Sequence, residues 1–161
     1  MAVHKLILDD TFDDSVYTLT AIHCRLEDFR LAYLLNNHLG ICLSRKASDL
    51  DAKNGQASYS IFEWEDEKQL ITWSLVSNIC KTEEIQESDY KSLFDNQEKI
   101  TKTFHLLPEF KTVNYFLKIE GELSIKKERS ITEAILNIPQ VATAYSIDSG
   151  QLKSKDNLIF N

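Results

Sequence analysis

His23 and Cys24 stand side by side just ahead of a helix-forming stretch. A thiol at a helix start can have its pKa lowered by the helix dipole, and a neighbouring imidazole can take its proton, so the pair has the residue types of an activated nucleophile. Adjacent strand residues point to opposite faces, however, and a helix start alone does not make a nucleophile, so a structural role is expected. His4, His23, His38 and His105 are scattered, with no His-x-x-x-His or His-Glu-x-x-His spacing to set two ligands on one helical face. A zinc enzyme is not expected. Asp9-Asp10 and Asp13-Asp14 bracket Phe12 as oxygen-rich pairs, yet they lack the ligand spacing and glycine of a calcium loop and read as a solvated acidic turn. Gly40, Gly55, Gly121 and Gly150 are too far apart for a dinucleotide fingerprint, a phosphate loop or a nucleophile elbow. The sequence therefore assigns no catalytic residue, metal or cofactor.

Cys24, Cys42 and Cys80 form an odd set with long spacings and no Cys-x-x-Cys pair, the pattern of reduced, buried thiols rather than of disulfides or a zinc site. A net charge of −7 and a pI near 5.1 argue against a broad phosphate-binding surface. The cations are also interleaved with acids: Arg45-Lys46 precedes Asp49 and Asp51, and Glu128 follows Lys126-Lys127. No nucleic acid is expected. No apolar run approaches the roughly 18 residues that cross a bilayer. The first ten residues hold one short apolar stretch followed at once by acids, so neither a membrane anchor nor a secretory signal is expected and the predicted location is cytoplasmic.

With 161 residues, two prolines, four glycines and no Gly/Pro/Ser-rich linker, the chain reads as one domain over 1–161. Ser15 to His23 predicts a mostly buried strand. Leu26 to Leu39 is a dense apolar set on good helix formers, stopped by Gly40 as a C′ residue of positive φ. Ile41 to Arg45 resumes a strand, completing a β-α-β unit. Ser58 to Glu65 and Gln69 to Ile79 alternate as a hairpin, with Phe62 and Trp64 on one face of the first and Ile71, Trp73, Leu75 and Ile79 on one face of the second. Lys81 to Lys99 is charged and reads as a surface excursion.

The second half repeats this outline. Thr101 to Leu107 is a strand candidate, and Val113 to Glu120 places Val113, Tyr115, Leu117 and Ile119 on one face. Ser130-Ile131-Thr132-Glu133 has the form of a capping box, which predicts Ser130 as an N-cap. Ile131, Ala134, Ile135 and Ile138 then form a helical stripe that Pro139 closes. Val141 to Ile147 returns as a strand, and Leu158 to Phe160 adds an edge candidate. The expected fold is α+β, a mainly antiparallel sheet with two helices on one face and ferredoxin-like split β-α-β units.

Two resemblances accompany these patterns. From Arg30 through Gly40-Ile41 the first unit resembles the small regulatory modules called ACT domains, which bring backbone to an amino acid at a glycine-containing turn; here that turn, Cys24 to Asp28, has no glycine. Leu107-Pro108-Glu109-Phe110-Lys111-Thr112-Val113-Asn114-Tyr115 resembles the signature naming the IPExxxVDY family, an uncharacterised group of bacterial proteins. Pro108, Glu109, Val113 and Tyr115 match it, while Leu107 stands for Ile and Asn114 for Asp. The resemblance implies no activity. Physically the segment predicts architecture: Pro108 holds Leu107 extended, Glu109 caps backbone donors or binds a cation or partner, and Val113 and Tyr115 open a strand.

On the first helix, Leu26, Phe29, Ala32, Tyr33, Leu35 and Leu39 share an arc that can face the sheet. Leu31 and Leu34 then fall outside it and predict a homodimer interface, unless Leu158 to Phe160 or Lys81 to Lys99 covers them. The expected function is a non-enzymatic interaction or regulatory protein, acting through its sheet edge or a helix face on another cytoplasmic protein. A small-molecule-binding regulatory module of ACT type is the alternative, and an enzyme comes third.

Overall fold

The computed structural model describes residues 16–85 and 99–160. Its centre is an antiparallel sheet of six strands. These are β1 (Tyr17–Cys24), β2 (Ser44–Arg45), β5 (Ile61–Asp66), β6 (Ile71–Ser77), β9 (Tyr115–Glu120) and β10 (Val141–Ile147), in the order β10-β1-β9-β6-β5-β2. Two hairpins supply the other strands: β3 (Leu50–Ala52) with β4 (Ala57–Tyr59), and β7 (Ile79–Ile85) with β8 (Lys99–His105). Helices α1 (Asp28–Leu39) and α2 (Ile125–Leu136) pack on one face. The path β1-α1-β6-β9-α2-β10 has the split β-α-β order of a ferredoxin-like sheet, widened by β5 and β2.

Alternation along the strands builds two cores. Ile22, Trp73, Leu75, Leu117 and Ile119 face the helices and meet Leu31, Leu35, Ile131 and Ile135. Leu19, Ala21, Val76 and Phe116 face the other way, where Tyr59, Leu106, Leu107, Val113, Leu152 and Leu158 cover them. Tyr115, Leu117 and Ile119 share the helix-side face as their spacing predicts. Val113 lies before the strand begins and belongs to the opposite core, which corrects its placement.

Gly40 ends α1 at φ +65°, its N–H bonded to the Asn36 carbonyl at 3.0 Å, in the left-handed conformation a glycine adopts without Cβ strain. The start of α2 differs from the capping-box reading. Ser124 is the N-cap, its hydroxyl accepting the Lys127 N–H at 3.2 Å, and Ser130 lies inside the helix. Ile125 to Arg129 contains good helix formers, so propensity extends the helix toward the N-terminus past Ser130 until a serine with nothing helical before it takes the cap.

Three further expectations change. The segment expected as an excursion begins as strand β7, paired with β8 over Ile79 to Ile85, so Ile79 leaves the β6 run; residues 86–98 lie outside the described residues. Ile41 to Arg45 forms a strand only at Ser44–Arg45, although Ile41 and Leu43 are buried. Lys155–Leu158 is a 3-10 turn rather than an edge strand, and it buries Leu158.

The largest correction concerns α1. Leu31 is 0% exposed and Leu34 packs against the helix-side core, while Tyr33 is 65% and Phe29 58% exposed. Leu31 and Leu34 therefore offer no interface. Both arcs of this helix are apolar, so hydrophobicity alone does not choose between them. The inward stripe is Leu31, Ala32 and Leu35, flanked by the partly buried Leu34 and Leu39.

Candidate functional site

The motif residues converge on Asn78, which is 0% exposed. Its amide nitrogen donates to the carbonyls of Phe110 and Val113, both at 2.8 Å, and its side-chain oxygen accepts the Leu107 N–H at 2.9 Å. Its backbone adds two bonds: the N–H to the Asn114 carbonyl at 2.9 Å, and the carbonyl from the Leu106 N–H at 2.8 Å. A buried amide with both donors and its acceptor satisfied fixes the path of the chain, because any other path strands polar groups away from water.

Every motif position then has a contact. Leu107 and Val113 are buried, and Pro108 starts the 3-10 turn Pro108–Phe110. The Asn114 side-chain oxygen accepts the Cys24 N–H at 3.1 Å, where the β1–β10 register shifts. An aspartate could accept the same bond. The Tyr115 hydroxyl donates to the Leu26 carbonyl at 2.7 Å, pinning the entry to α1; burial, then the nearby Cys24, Asp28 and Glu27, push its pKa up. Glu109 accepts the N–H of Lys153 at 2.7 Å and of Ser154 at 3.2 Å, tying the turn to the C-terminal segment. Its slight burial pushes the carboxyl up, but bonds from the Ser154 side chain and from the Lys153 and Ser154 amides outweigh this and hold it below its ordinary range. Glu109 is thus a cap on backbone donors.

The C-terminal segment has a second anchor that sequence reasoning missed. Lys118, 3% exposed, donates to the Leu158 carbonyl at 2.8 Å and pairs with Glu120. Its ammonium lies 5.0 Å from the ring centres of both Tyr17 and Phe160. A cation in an apolar strand was the available signal, since a buried lysine needs partners.

The candidate nucleophile falls apart. Cys24 is buried in the helix-side core, and burial pushes its thiol pKa up against a counteracting bond from the Leu26 backbone. His23 points the other way, its Nε2 hydrogen-bonded with the Tyr145 hydroxyl at 3.1 Å. His38 bonds the Leu34 carbonyl and His105 sits opposite Ile79 in the β7–β8 ladder. Among the described residues no group of three His, Cys, Asp or Glu side chains could hold a metal ion. His4 and the Asp9 to Asp14 pairs lie outside them. The three cysteines are free.

What remains is the sheet's two edges. The β2 edge is two residues long and charged: Arg45 pairs with Asp28 at 2.9 Å and with Asp49, and the adjacent Lys46 reaches Glu63 at 3.4 Å. Short, charged edges resist further pairing. The β10 edge is seven residues long, and no Asp, Glu, Lys or Arg occurs between Glu133 and Asp148. No other described strand pairs with its outer side. A cleft of about 340 Å³ opens beside it, between Phe110 and Glu109 of the motif, Tyr145 and Ile147 of β10, and Leu152 and Lys153 of the C-terminal segment. A second cleft of about 270 Å³ lies between the helices, with Trp64 and Trp73 on its floor and His38, Gln69 and Lys127 at its rim.

Compared with family models, curated proteins and solved structures, the chain finds no match in any of the three. Among the described residues no helix is long and apolar enough to cross a membrane.

Proposed function

We propose that this chain, as an IPExxxVDY-type cytoplasmic protein, is a non-enzymatic interaction protein that takes an extended polypeptide segment onto the outer side of β10. The carrying observation is the contrast between the sheet's two edges: one two residues long and laced with ion pairs, the other seven residues long, uncharged and beside a cleft. Main-chain bonds to an open edge give affinity, and a neighbouring pocket for alternate side chains gives selectivity. The motif-like segment then acts indirectly: Asn78 and Glu109 hold the turn that walls the cleft. Phe110, Ile147 and Leu152 suit an apolar side chain.

The alternative, a small-molecule regulatory module, draws on the Trp64–Trp73 cleft, where an aromatic floor meets His38 and Lys127. It ranks second because Lys127 at its rim already donates to Gln69 at 2.6 Å.

Selection of peptides from a displayed random library, at protein concentrations low enough to keep the chain dilute, tests the first reading. Extended sequences of alternating apolar character should be enriched, and they should bind the Ser146→Ala variant but not Ser146→Pro. Peptides that bind both variants equally would place the interaction surface elsewhere.

A further inference from the structure

Which backbone groups β10 offers follows from the ladder beside it. The Gly121 N–H donates to the Val16 carbonyl at 2.9 Å, so in the β1–β9 register the even-numbered β1 residues bond to β9. Direction alternates along a strand, and the odd-numbered residues Leu19 and Ala21 therefore bond to β10, opposite Ile147 and Tyr145. The N–H and C=O groups of Ala144 and Ser146 point off the sheet.

Resting on the strand-addition reading, we infer that the partner is a second copy of this chain, joined by antiparallel β10-to-β10 pairing about a two-fold axis. Charge selects this occupant. The chain carries a net −7, so two copies repel over most approaches, yet the run from Ala134 to Ile147 contains no charged residue, so the two strands pair without like charges opposite, and the Glu128 carboxylate above them is engaged by the Ser146 hydroxyl.

The helix above the edge has a matching pattern. Glu128 of α2 bonds the Ser146 hydroxyl, and Ser130 and Ala134 face the interhelical cleft, so the flank toward the edge carries Ile125, Glu128, Thr132 and Leu136. Ile125 and Leu136, at opposite ends of α2, are both exposed. Antiparallel pairing of the edges lays the two α2 helices antiparallel, which brings Ile125 of each copy toward Leu136 of the other. That is the self-complementarity a two-fold interface requires.

Light scattering tests this at a concentration on the order of 100 µM, above the micromolar Kd of a weak interface. The wild type should have twice the 18.6 kDa chain mass, Ser146→Pro should halve it to the chain mass, and Ser146→Ala should leave it doubled. Proline is tolerated on an edge strand whose N–H faces solvent, so the variant keeps the internal ladder, checked by circular dichroism. If it fails to fold, amide exchange on the wild type decides instead. Ala144 and Ser146 should become protected as concentration rises, while Tyr145 and Ile147, bonded to β1, are protected throughout. A monomeric wild type, a dimer indifferent to Ser146→Pro, or concentration-independent exchange at Ala144 and Ser146 overturns the self-pairing. The broader strand-addition reading then stands or falls on the peptide selection.

Discussion

The side-chain oxygen of Asn78 and the backbone N–H of Leu107 are joined at 2.9 Å across 29 positions of sequence, in a site sealed from water. That bond belongs to a set in which one amide side chain serves three backbone groups. Removing it leaves the buried Leu107 N–H and Val113 carbonyl unpaired, each costing about 1–3 kcal/mol, while the Phe110 carbonyl keeps the Val113 N–H at 3.2 Å. Asn78→Ala should therefore lower the unfolding free energy by roughly 2 kcal/mol or more. Asn78→Asp should be similarly damaging, because a carboxylate keeps the acceptor but loses both donors. Chemical denaturation measures both, and a loss below about 0.5 kcal/mol, the scale of a surface change, would mean the knot does not hold the turn.

The orientation of α1 makes opposite forecasts for neighbouring residues. Leu31→Ala empties a fully buried position and should cost on the order of 2 to 5 kcal/mol, as should Leu117→Ala on the strand beneath. Tyr33→Ala, on the exposed arc, should stay within about 0.5 kcal/mol. If Tyr33→Ala proves the costlier of the two α1 changes, the helix is rotated from the position described.

Helix α2 offers a paired test of its start. Ser124→Ala removes the hydroxyl that accepts the Lys127 N–H and should destabilise by roughly 0.5 to 2 kcal/mol. Ser130→Ala, inside the helix, should be neutral or slightly stabilising, since alanine is the better helix former. The reverse ranking of denaturation midpoints would restore Ser130 as the cap.

Glu109 predicts an acid-side dependence. Its folded pKa lies below its ordinary 4.5, so its bonds to Lys153 and Ser154 contribute stability above that value, which is lost as pH falls through the depressed one. Glu109→Gln should be less stable than wild type at neutral pH, with the gap closing in acid below the depressed pKa, where the wild-type carboxyl is protonated. The side chain is largely solvent-screened, so the gap is small. Urea midpoints at the two pH values measure it, and a gap unchanged by acid would show that charge plays no part.

Much of the sheet and both helices were written in local periodicity. Phe62 with Trp64, Ile71 with Trp73 and Leu75, and Tyr115 with Leu117 and Ile119 alternate at period two, and Ile131, Ile135 and Ile138 repeat at helical spacing. Each pattern depends only on residues a few positions apart, and these residues line the helix-side core as the spacing predicts, whereas Ile79 belongs to β7, Val113 to the opposite core, and Ile138 follows the end of α2 at Leu136. The same local logic fixed Gly40 as a helix stop, because only the backbone of that residue is involved. What local periodicity could not carry is everything set by a distant partner. On α1 only packing against the sheet fixes the rotation that buries Leu31 and Leu35 and leaves Phe29 and Tyr33 exposed. Asn78 and Lys118 look like polar interruptions of strands until the carbonyls of Phe110, Val113 and Leu158 arrive from 32, 35 and 40 positions away. The two ends of the sheet, one charged and short, the other without a partner strand at Ala144 and Ser146 among the described residues, exist only once strand order is fixed, and that order is a property of the packed chain because its neighbours come from distant parts of the sequence.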